Sequence, residues 1–404
     1  MENPTKKTVV VGLSGGVDSS VSALLLKEQG YNVIGIFMRN WNDSSVLIDD
    51  ECPWIEDSND AMLVADKIGI PFQTLDLSEQ YKARIVDYMF AEYEAGRTPN
   101  PDVLCNREIK FDVFLNAALQ LGADYVATGH YCQKREQIIN GKTMYSLIAG
   151  ADLNKDQSYF LCQITQEQLS KILFPIGHLQ KAEVRELAHK ADLITADKKD
   201  SQGLCFIGKV SLPDFLQRRL ATRKGAVIEI NEDSPVFERY KLSKPADENS
   251  EAYLQWQCAR WHFTKEDGKV IGEHNGAHFY TVGQRRGLRI GGKELPLFVL
   301  AIDVNENIIY VGQGENNPGL AGKGLFMANS SISFVREDLK PAINQSMHLH
   351  TRIRYRQPLF AAKLIRKESG YYLVFDTEHN AVAPGQFAAF YRDGEVLGSG
   401  AISS

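Results

Sequence analysis

The sequence predicts an α/β protein in which an N-terminal parallel sheet precedes a small β-rich domain and an antiparallel β-barrel. Two observations favour the parallel sheet: apolar β-branched runs alternate with helical segments, and a glycine-rich turn follows the first run. After about residue 215 the alternation gives way to short β-rich segments separated by turn residues. A chain of 404 residues is too long for one core, so two or three domains are expected. The changes in pattern divide it into 1–215, 216–314 and 315–404.

Composition and charge are those of an ordinary globular chain, with 44% hydrophobic and 24% charged residues. No run of 18 apolar residues exists and the N-terminus lacks an apolar signal core, so we expect a cytoplasmic protein without membrane contact. The net charge of −6 neither indicates nor excludes a nucleic-acid partner, because a local basic patch decides that. Six scattered cysteines without a CxxC pair predict neither a disulfide framework nor a metal site.

The first strand, turn and helix form an anion-binding pattern. An apolar run at 9–13 predicts a buried strand, 14–16 (Ser-Gly-Gly) break it, and 19–27 have the apolar spacing of a helix. This order aims backbone N–H groups and the positive end of a helix dipole at one point, where phosphate binds. No Gly-Lys-Ser/Thr follows the turn, so it is not a Walker A sequence and lacks that motif's lysine.

Further strands and helices continue the alternation through the N-terminal part. We expect strands at 32–37, 72–75 and 125–128 and helices at 60–68, 79–94 and 181–190. Met38 and Gly129 follow two of these strands, at the sheet edge where α/β proteins bind ligands. Met38 could pack on an adenine ring or belong to the core, and His130 could be structural or catalytic.

A proline-rich turn and a cysteine make the segment TPNPDVLCNREIKF a second candidate site. The prolines rule out helix until about Val103, so Asp102 lies near a helix start and Cys105 one turn further on. A cysteine near a helix N-terminus, flanked by Arg107 and Lys110, should have a lowered pKa and be reactive. An inert, half-buried thiol is the alternative.

A second cysteine with basic surroundings lies in the segment DSQGLCFIG, residues 200–208. Cys205 follows Gly203, and nearby lysines, Lys198, Lys199 and Lys209, favour its thiolate. A packed, unreactive thiol is again the alternative.

The C-terminal half offers a basic strand. If 352–356 form a strand, Arg352, Arg354 and Arg356 face one side beside Tyr355, which suits a phosphate backbone and an unpaired base. A solvated strand face is the alternative. We expect central strands at 226–230, 269–272, 279–282, 298–302 and 308–311, and a basic turn at 284–287.

Seven segments, SGGVDSS, NPDVLCN, TGHY, KDQSYFL, DSQGLCFIG, YTVGQRRGL and RYRQ, occur in this order and together resemble the tRNA-specific 2-thiouridylase family. That family belongs to the ATP-pyrophosphatase superfamily, whose phosphate loop reads SGGxDS. The resemblance implies a Rossmann-like ATP-pyrophosphatase domain that uses ATP to replace the C2 oxygen of a tRNA wobble uridine with sulfur. The stretch 231–266 is longer than the family's hairpin there, so we interpret it as a hairpin-tip insertion whose role, like that of Cys258, is open.

The resemblance also implies the site residues, cofactors and partners. Cys105 is the nucleophile, Cys205 carries the persulfide, and Asp102 is within reach as acid or base. ATP with Mg²⁺ is the cofactor, and the partners are a tRNA anticodon stem-loop, a sulfur donor (a sulfur relay protein or cysteine desulfurase) and a reductant for a Cys105–Cys205 disulfide. The ATP residues are Gly12, Leu13, Ser14, Gly15, Gly16, Val17, Asp18, Ser19, Met38 and Gly129, and the tRNA residues are Asn100, Pro101, Asp102, Lys155, Asp156, Gln157, Arg354 and Tyr355.

The chemistry leaves alternatives open. The persulfide could attack the adenylated base directly, or Cys105 could first release hydrosulfide from it. An adenylating ligase or amidotransferase with the same loop would need no paired cysteines. A sulfur carrier or tRNA-binding protein without catalysis would make no use of the phosphate loop.

Overall fold

The N-terminal part alternates strands and helices, as the sequence predicts. The structure, a computed structural model, describes residues 6–41, 53–200, 212–217 and 219–403. In chain order the elements are β1 (Thr8–Gly12), α1 (Val17–Glu28), β2 (Asn32–Arg39), α2 (Pro53–Ile68), β3 (Phe72–Asp76), α3 (Ser78–Tyr81), a π-helix (Lys82–Val86), α4 (Asp87–Glu94), α5 (Pro101–Leu104), a second π-helix (Cys105–Phe114), α6 (Leu115–Gln120), β4 (Tyr125–Ala127), β5 (Cys132–Ile139), β6 (Lys142–Ala149), α7 (Gln166–Ser170), β7 (Ile172–Leu173), α8 (Lys181–Lys190) and α9 (Leu212–Gln217).

A five-stranded parallel sheet of order β3-β2-β1-β4-β7 forms the centre of this part. Val9, Val10 and Val11 of the middle strand are fully buried, which explains the uninterrupted apolar run in the sequence. Strand order runs outward in both directions from β1, so a crevice for ligands opens at the carboxyl ends of β1 and β4. The glycine turn after β1 lies in that crevice.

The helix after the proline turn begins earlier than predicted. α5 starts at Pro101 rather than about Val103, because proline is accepted at the first helical position and Asn100 caps the helix through its side-chain oxygen, which accepts from the Val103 N–H at 3.2 Å. The chain then continues from Cys105 as a π-helix, a rare form that often occurs at functional sites.

The central part forms a four-stranded sheet of order β10-β11-β8-β9. Strands β8 and β9 pair antiparallel. Residues 231–266, which lie between them, carry two helices rather than a plain hairpin tip. The predicted strand at 279–282 is wrong: Phe279 ends a 3-10 helix (Ala277–Phe279), and residues 281–284 form a turn closed by the Gln284 N–H on the Thr281 carbonyl, with Gly283 at φ +83°. The elements are β8 (Gly225–Glu229), α10 (Pro235–Leu242), α11 (Glu251–Cys258), β9 (Lys269–His274), β10 (Leu297–Asp303) and β11 (Ile308–Gln313).

The C-terminal part is the predicted antiparallel barrel, and the N-terminal part contributes to its sheet. β6 pairs with the last strand of the chain, so the β5–β6 hairpin extends the barrel sheet. Cys258 of the insertion packs with Leu254 against Tyr372 of the barrel. The strands are β12 (Ala321–Ala328), β13 (Ile332–Phe334), β14 (Ser346–Arg352), β15 (Phe360–Arg366), β16 (Gly370–Asn380), β17 (Phe387–Arg392) and β18 (Glu395–Ala401).

Candidate active site

The glycine turn leaves the start of α1 without a side-chain cap. Gly16 is the N-cap of α1 and provides no side-chain cap, so the first-turn N–H groups keep their capacity to bind a ligand. Gly15 has φ +73°, and a Cβ there would lie 2.2 Å from the Asp57 carbonyl oxygen, which excludes any side chain. The Ser14 N–H donates to Ser19 Oγ at 3.1 Å, which fixes the turn from within.

Asp18, in the first turn of α1, is the centre of a charged network. Its carboxylate accepts from Lys181 Nζ at 2.8 and 2.9 Å and from the Tyr131 hydroxyl at 2.7 Å. Burial, followed by the Asp18 charge, raises the pKa of Tyr131, so the phenol stays protonated as a donor. Lys181 Nζ also contacts Asp200 at 2.8 Å. α8 thus places a lysine beside a turn whose own sequence has none.

The two residues predicted at the strand ends pack tightly around the turn. A Cβ on Gly129 would lie 2.7 Å from the Ser19 backbone nitrogen, so β4 and α1 meet there only because residue 129 is glycine. Met38 is buried, and a Cβ on Gly12 would come within 3.3 Å of its Cε. Met38 therefore belongs to the core and also borders the turn.

The turn at 98–100 is held by all three parts of the chain. The Thr98 N–H donates to the Pro384 carbonyl at 2.8 Å, and its hydroxyl lies 3.1 Å from that of Thr281. The Gln386 amide donates to the carbonyls of Thr98 and Pro99 at 3.0 and 3.3 Å and accepts from the Asn100 amide at 3.3 Å. A residue from the barrel therefore sets the path of this turn.

The thiol of Cys105 does not have the lowered pKa that the sequence predicts. Its side chain is only 1% exposed, and burial raises the pKa of its thiol to about 12, outweighing the opposite effect of Lys110. The expected lowering of its pKa is therefore wrong, because the helix that follows Pro101 points this residue into the core. Asp102 Oδ1, one turn earlier, is buried and has no hydrogen-bond partner among the described residues.

The helix that carries Cys105 reaches the sheet edge. Phe114, at its end, lies within 3.6 Å of the position that a Cβ on Gly12 would occupy, and Phe111 contacts the His130 ring with centroids 5.9 Å apart. His130 is buried with its Nδ1 2.7 Å from the Thr128 hydroxyl, and burial lowers its pKa well below the usual value. The cysteine helix and the glycine turn therefore share one core.

Residues 155–157, expected to contact tRNA, form ion pairs and hydrogen bonds within the protein. Lys155 pairs with Asp200 at 2.7 Å. Asp156 is buried and accepts from the Ser158 N–H at 3.0 Å. Gln157 accepts from the Tyr131 N–H at 3.0 Å, so this segment supports the residue that holds Asp18.

The predicted strand of arginines is wrong. β14 ends at Arg352, and residues 353–357 bend, so the three arginines do not share a strand face. Arg352 Nη2 lies 3.3 Å from the Asp156 carboxylate. Arg354 donates to the carbonyls of Val282 and Ala381 at 3.0 and 2.9 Å. Tyr355 packs on Phe160 with ring centroids 4.2 Å apart.

Comparison with known proteins covers nearly the whole chain. The tRNA-specific 2-thiouridylase MnmA of Flavobacterium johnsoniae is 60% identical over 397 residues, covering 98% of this chain and all of that protein (100%). The same protein from Christiangramia forsetii is 60% identical over 399 residues (98% and 100% covered), and that from Streptococcus mutans 43% over 410 (100% and 97%). The chain belongs to the tRNA-specific 2-thiouridylase family.

Three family models match the three parts of the fold. They are described as the tRNA methyl transferase HUP domain, at residues 7–209, the tRNA methyl transferase PRC-barrel domain, at 253–313, and the aminomethyltransferase beta-barrel domain, at 326–402. The resemblance drawn from the motifs and the predicted fold class are therefore confirmed. None of the helices in the described ranges has the length and apolar character needed to cross a bilayer.

Cys205, the other predicted thiol of this family member, lies outside the described residues. Sequence reasoning did not single out Lys181, Tyr131 or Gln386. Tyr131 follows the Gly129-His130 pair at a strand end, so its position was a signal. Lys181 begins a predicted amphipathic helix, and nothing in the local sequence connects it or Gln386 with the site.

Proposed function

We propose that this chain is an ATP-dependent tRNA sulfurtransferase that converts a wobble uridine into 2-thiouridine. The names of its full-length relatives support the substrate class and the product. The observation that supports the mechanism most is the shared core of the glycine turn and the cysteine helix, joined through Phe114. An adenylating ligase would need the first of these elements but not the second.

In this proposal the triphosphate of ATP binds at the start of α1. The uncapped N–H groups of the first turn would carry the departing pyrophosphate, and Lys181 would supply the positive charge that the turn lacks. The carboxylate of Asp18 suits Mg²⁺, which prefers oxygen ligands and is held by one or two carboxylates together with phosphates. When bound, the ion would neutralise phosphate charge, while Tyr131 and Lys181 keep the carboxylate oriented.

The C2 oxygen of uridine is a poor leaving group, and adenylation lets it leave as part of AMP. The uridine C2 oxygen attacks the α-phosphorus, pyrophosphate leaves, and the N3 proton must leave as the oxygen is adenylated. Asp102 suits this proton transfer, since its Oδ1 is buried and unpartnered within the described residues and follows directly after the Asn100-Pro101 turn. The wobble base would leave its stack to reach this turn.

Sulfur transfer then uses two thiols. The terminal sulfur of a Cys205 persulfide attacks C2, and AMP leaves with the former oxygen. The Cys105 thiolate next attacks the Cys205 sulfur, so that the bond to the transferred sulfur breaks and a Cys105–Cys205 disulfide forms. An external dithiol reductant returns two electrons, and a persulfide donor, a sulfur relay protein or cysteine desulfurase, reloads Cys205.

The burial of Cys105 gives this order of events a physical reason. With its pKa raised to about 12, the thiol is protonated at neutral pH and cannot attack a persulfide before the site is rearranged by substrate. Opening of the turn by tRNA would expose the thiol and let Lys110, whose charge lowers that pKa, act on it.

The direct test combines the protein with ATP, a persulfide source and unmodified tRNA, and measures 2-thiouridine by nucleoside analysis beside AMP and pyrophosphate. We expect one AMP and one pyrophosphate per thiouridine. Cys205→Ser should retain tRNA-dependent pyrophosphate release and lose thiouridine, and Cys105→Ser should also lose thiouridine.

Cys258→Ser is the matched control, because this thiol is equally buried but packs against the barrel at Tyr372. Nucleotide turnover and thiouridine formation that survive both Cys105→Ser and Cys205→Ser would refute the proposal and favour a ligase without thiol chemistry.

A further inference from the structure

The central part of the chain carries a basic loop that the proposed mechanism does not use. We call residues 284–293 the arginine loop; it precedes β10 and contains Arg285, Arg286 and Arg289, all exposed. Their guanidinium groups make no hydrogen bond or ion pair with any residue in the described ranges. Three unpaired arginines within five positions are a concentration of free positive charge in a chain of net charge −6.

Three of the cations expected to contact RNA are engaged elsewhere, whereas Arg356 is exposed and has only a ring contact, 5.9 Å from the Tyr355 ring centroid. Lys155 is paired with Asp200, Arg352 with Asp156, and Arg354 has its guanidinium on two backbone carbonyls, where burial lowers its pKa. A guanidinium already held in this way has little capacity left for a phosphate. The arginine loop has that capacity.

Internal contacts hold the loop in place. The Gln284 side chain accepts from the Thr281 N–H at 3.0 Å and donates to the Arg286 carbonyl at 2.9 Å. Leu288 is buried in the core of the central part, and Ile290 packs against the same core. Arg289 lies between these two inward residues and is exposed, so the loop presents its charges outward from a fixed base.

The loop is adjacent to the turn proposed to bind the target base. The Thr281 hydroxyl, four residues before Arg285, lies 3.1 Å from that of Thr98, and the Thr281–Gln284 turn is closed by a backbone hydrogen bond of 2.9 Å. Val282, within that turn, accepts from Arg354. The tight turn keeps the loop beside the Thr98–Asn100 segment, since four residues of a β-turn span less than about 7 Å.

We propose that the arginine loop binds backbone phosphates of the RNA strand that flanks the target uridine. Planar guanidinium groups match phosphate oxygens in pairs, and an unpaired cluster beside a base pocket is positioned for the neighbouring nucleotides. The proposal rests on the proposed function in one respect, that the turn at 98–100 receives a base of tRNA. Phosphate contacts fix register without reading sequence, so the loop would contribute affinity rather than base choice.

The test compares two triple variants of the full chain with equal changes in charge. Arg285→Ala/Arg286→Ala/Arg289→Ala removes the loop's cations. The control removes three exposed lysines of the N-terminal part whose side chains likewise have no partner in the described ranges, Lys142→Ala, Lys171→Ala and Lys190→Ala. Dissociation constants for an unmodified tRNA anticodon stem-loop are measured by fluorescence anisotropy at several salt concentrations.

The loop variant should bind the stem-loop about tenfold or more weakly at 0.1 M salt, and its slope of log K against log salt should be shallower by about 2. The control should stay within about twofold of the wild type. ATP affinity should be unchanged in both, and the loop variant should show a raised KM for tRNA with kcat retained at saturation. A lysine triple at the same positions should restore most of the slope, since it keeps the charges.

Equal affinity and slope in the loop variant and the control would overturn the inference. Unchanged RNA binding with slower loading of sulfur from a persulfide donor protein would also overturn it and assign the loop to a protein partner. Binding does not require chemistry, so a wild type that binds the stem-loop through the loop but forms no thiouridine would refute only the proposed function.

Discussion

The glycine turn and the turn at 98–100 are built in opposite ways. In the glycine turn the Ser19 and Ser20 hydroxyls donate to the Gly16 carbonyl at 3.1 and 2.8 Å, contacts between residues at most four positions apart. The turn at 98–100 depends on Thr281, Pro384 and Gln386, between 183 and 288 positions away. The backbone of the glycine turn is therefore held by local contacts, although Lys181 and Tyr131 reach Asp18 from distant segments. The turn at 98–100, by contrast, exists only when three parts of the chain have assembled.

The largest expected effect comes from breaking the local turn. Gly15→Ala would place a methyl group 2.2 Å from the Asp57 carbonyl oxygen and strain the φ of +73°, so the turn and the start of α1 must shift. We expect tRNA-dependent pyrophosphate release to fall by about a hundredfold or more, since displacements near 1 Å have such costs. Gly30→Ala is the matched control, with φ +91° and open space around its Cβ. Equal losses of activity in both variants would show that general strain, not the turn, is responsible.

A smaller loss of activity is expected from removal of Lys181, which is distant in the sequence and contacts Asp18 in the glycine turn. Lys181→Ala leaves the fold of α1 unaltered but removes the cation 2.8 Å from Asp18. We expect kcat/KM for ATP to fall about tenfold to a hundredfold, with weaker binding of pyrophosphate and unchanged binding of AMP. Lys181→Arg should recover part of the loss. Lys190→Ala, at the exposed end of the same helix, should match the wild type, and equal effects on pyrophosphate and AMP would contradict the assignment.

Weakening the turn at 98–100 should lower kcat/KM for tRNA and leave ATP binding unchanged. Gln386→Ala removes two donated hydrogen bonds to the carbonyls of Thr98 and Pro99 and one accepted from Asn100. We expect kcat/KM for tRNA to fall about tenfold, an effect of about 1.4 kcal/mol, because water replaces part of the roughly 1 kcal/mol that each of these part-buried hydrogen bonds contributes. ATP binding, measured by calorimetry, should not change. Gln29→Ala, exposed after α1, is the control; a parallel loss of ATP affinity in Gln386→Ala would show that the two turns are not separable.

The smallest effect concerns pH and the buried thiol. Because the folded pKa of Cys105, about 12, exceeds the unfolded value near 9, its contribution to stability is complete below pH 9 and declines as pH rises from 9 towards 12. Wild type should therefore lose about 1 kcal/mol more unfolding free energy than Cys105→Ala between pH 8 and 10. Urea unfolding at both pH values measures this, and identical pH slopes would mean that the thiol ionises freely in the folded protein.

Local patterns predicted most of the N-terminal part well. Apolar β-branched runs and helical spacing located β1, β2, β3 and β4, and α8 has the predicted bounds, because periodicity reflects which side of one element is buried. The prediction failed where contacts between distant segments decide. Arg354 is turned towards Val282 and Ala381, and the segment at 279–282 closes a turn instead of joining a sheet. The β5–β6 hairpin joins the barrel sheet through β18, whose residues pair with residues of β6 that lie about 250 positions earlier in the chain.

The sequence by itself determined the family, the α/β start and barrel end of the chain, and the glycine turn between β1 and α1, since each depends on residues that are neighbours or on the order of motifs. Only the tertiary structure decided the ionisation of Cys105, the lysine that faces Asp18, the glutamine that holds the 98–100 turn and which arginines remain unpaired. The physical reason is that pKa values, ion pairs and free charge depend on burial and on partners, and both are supplied by packing between segments that lie far apart in the chain.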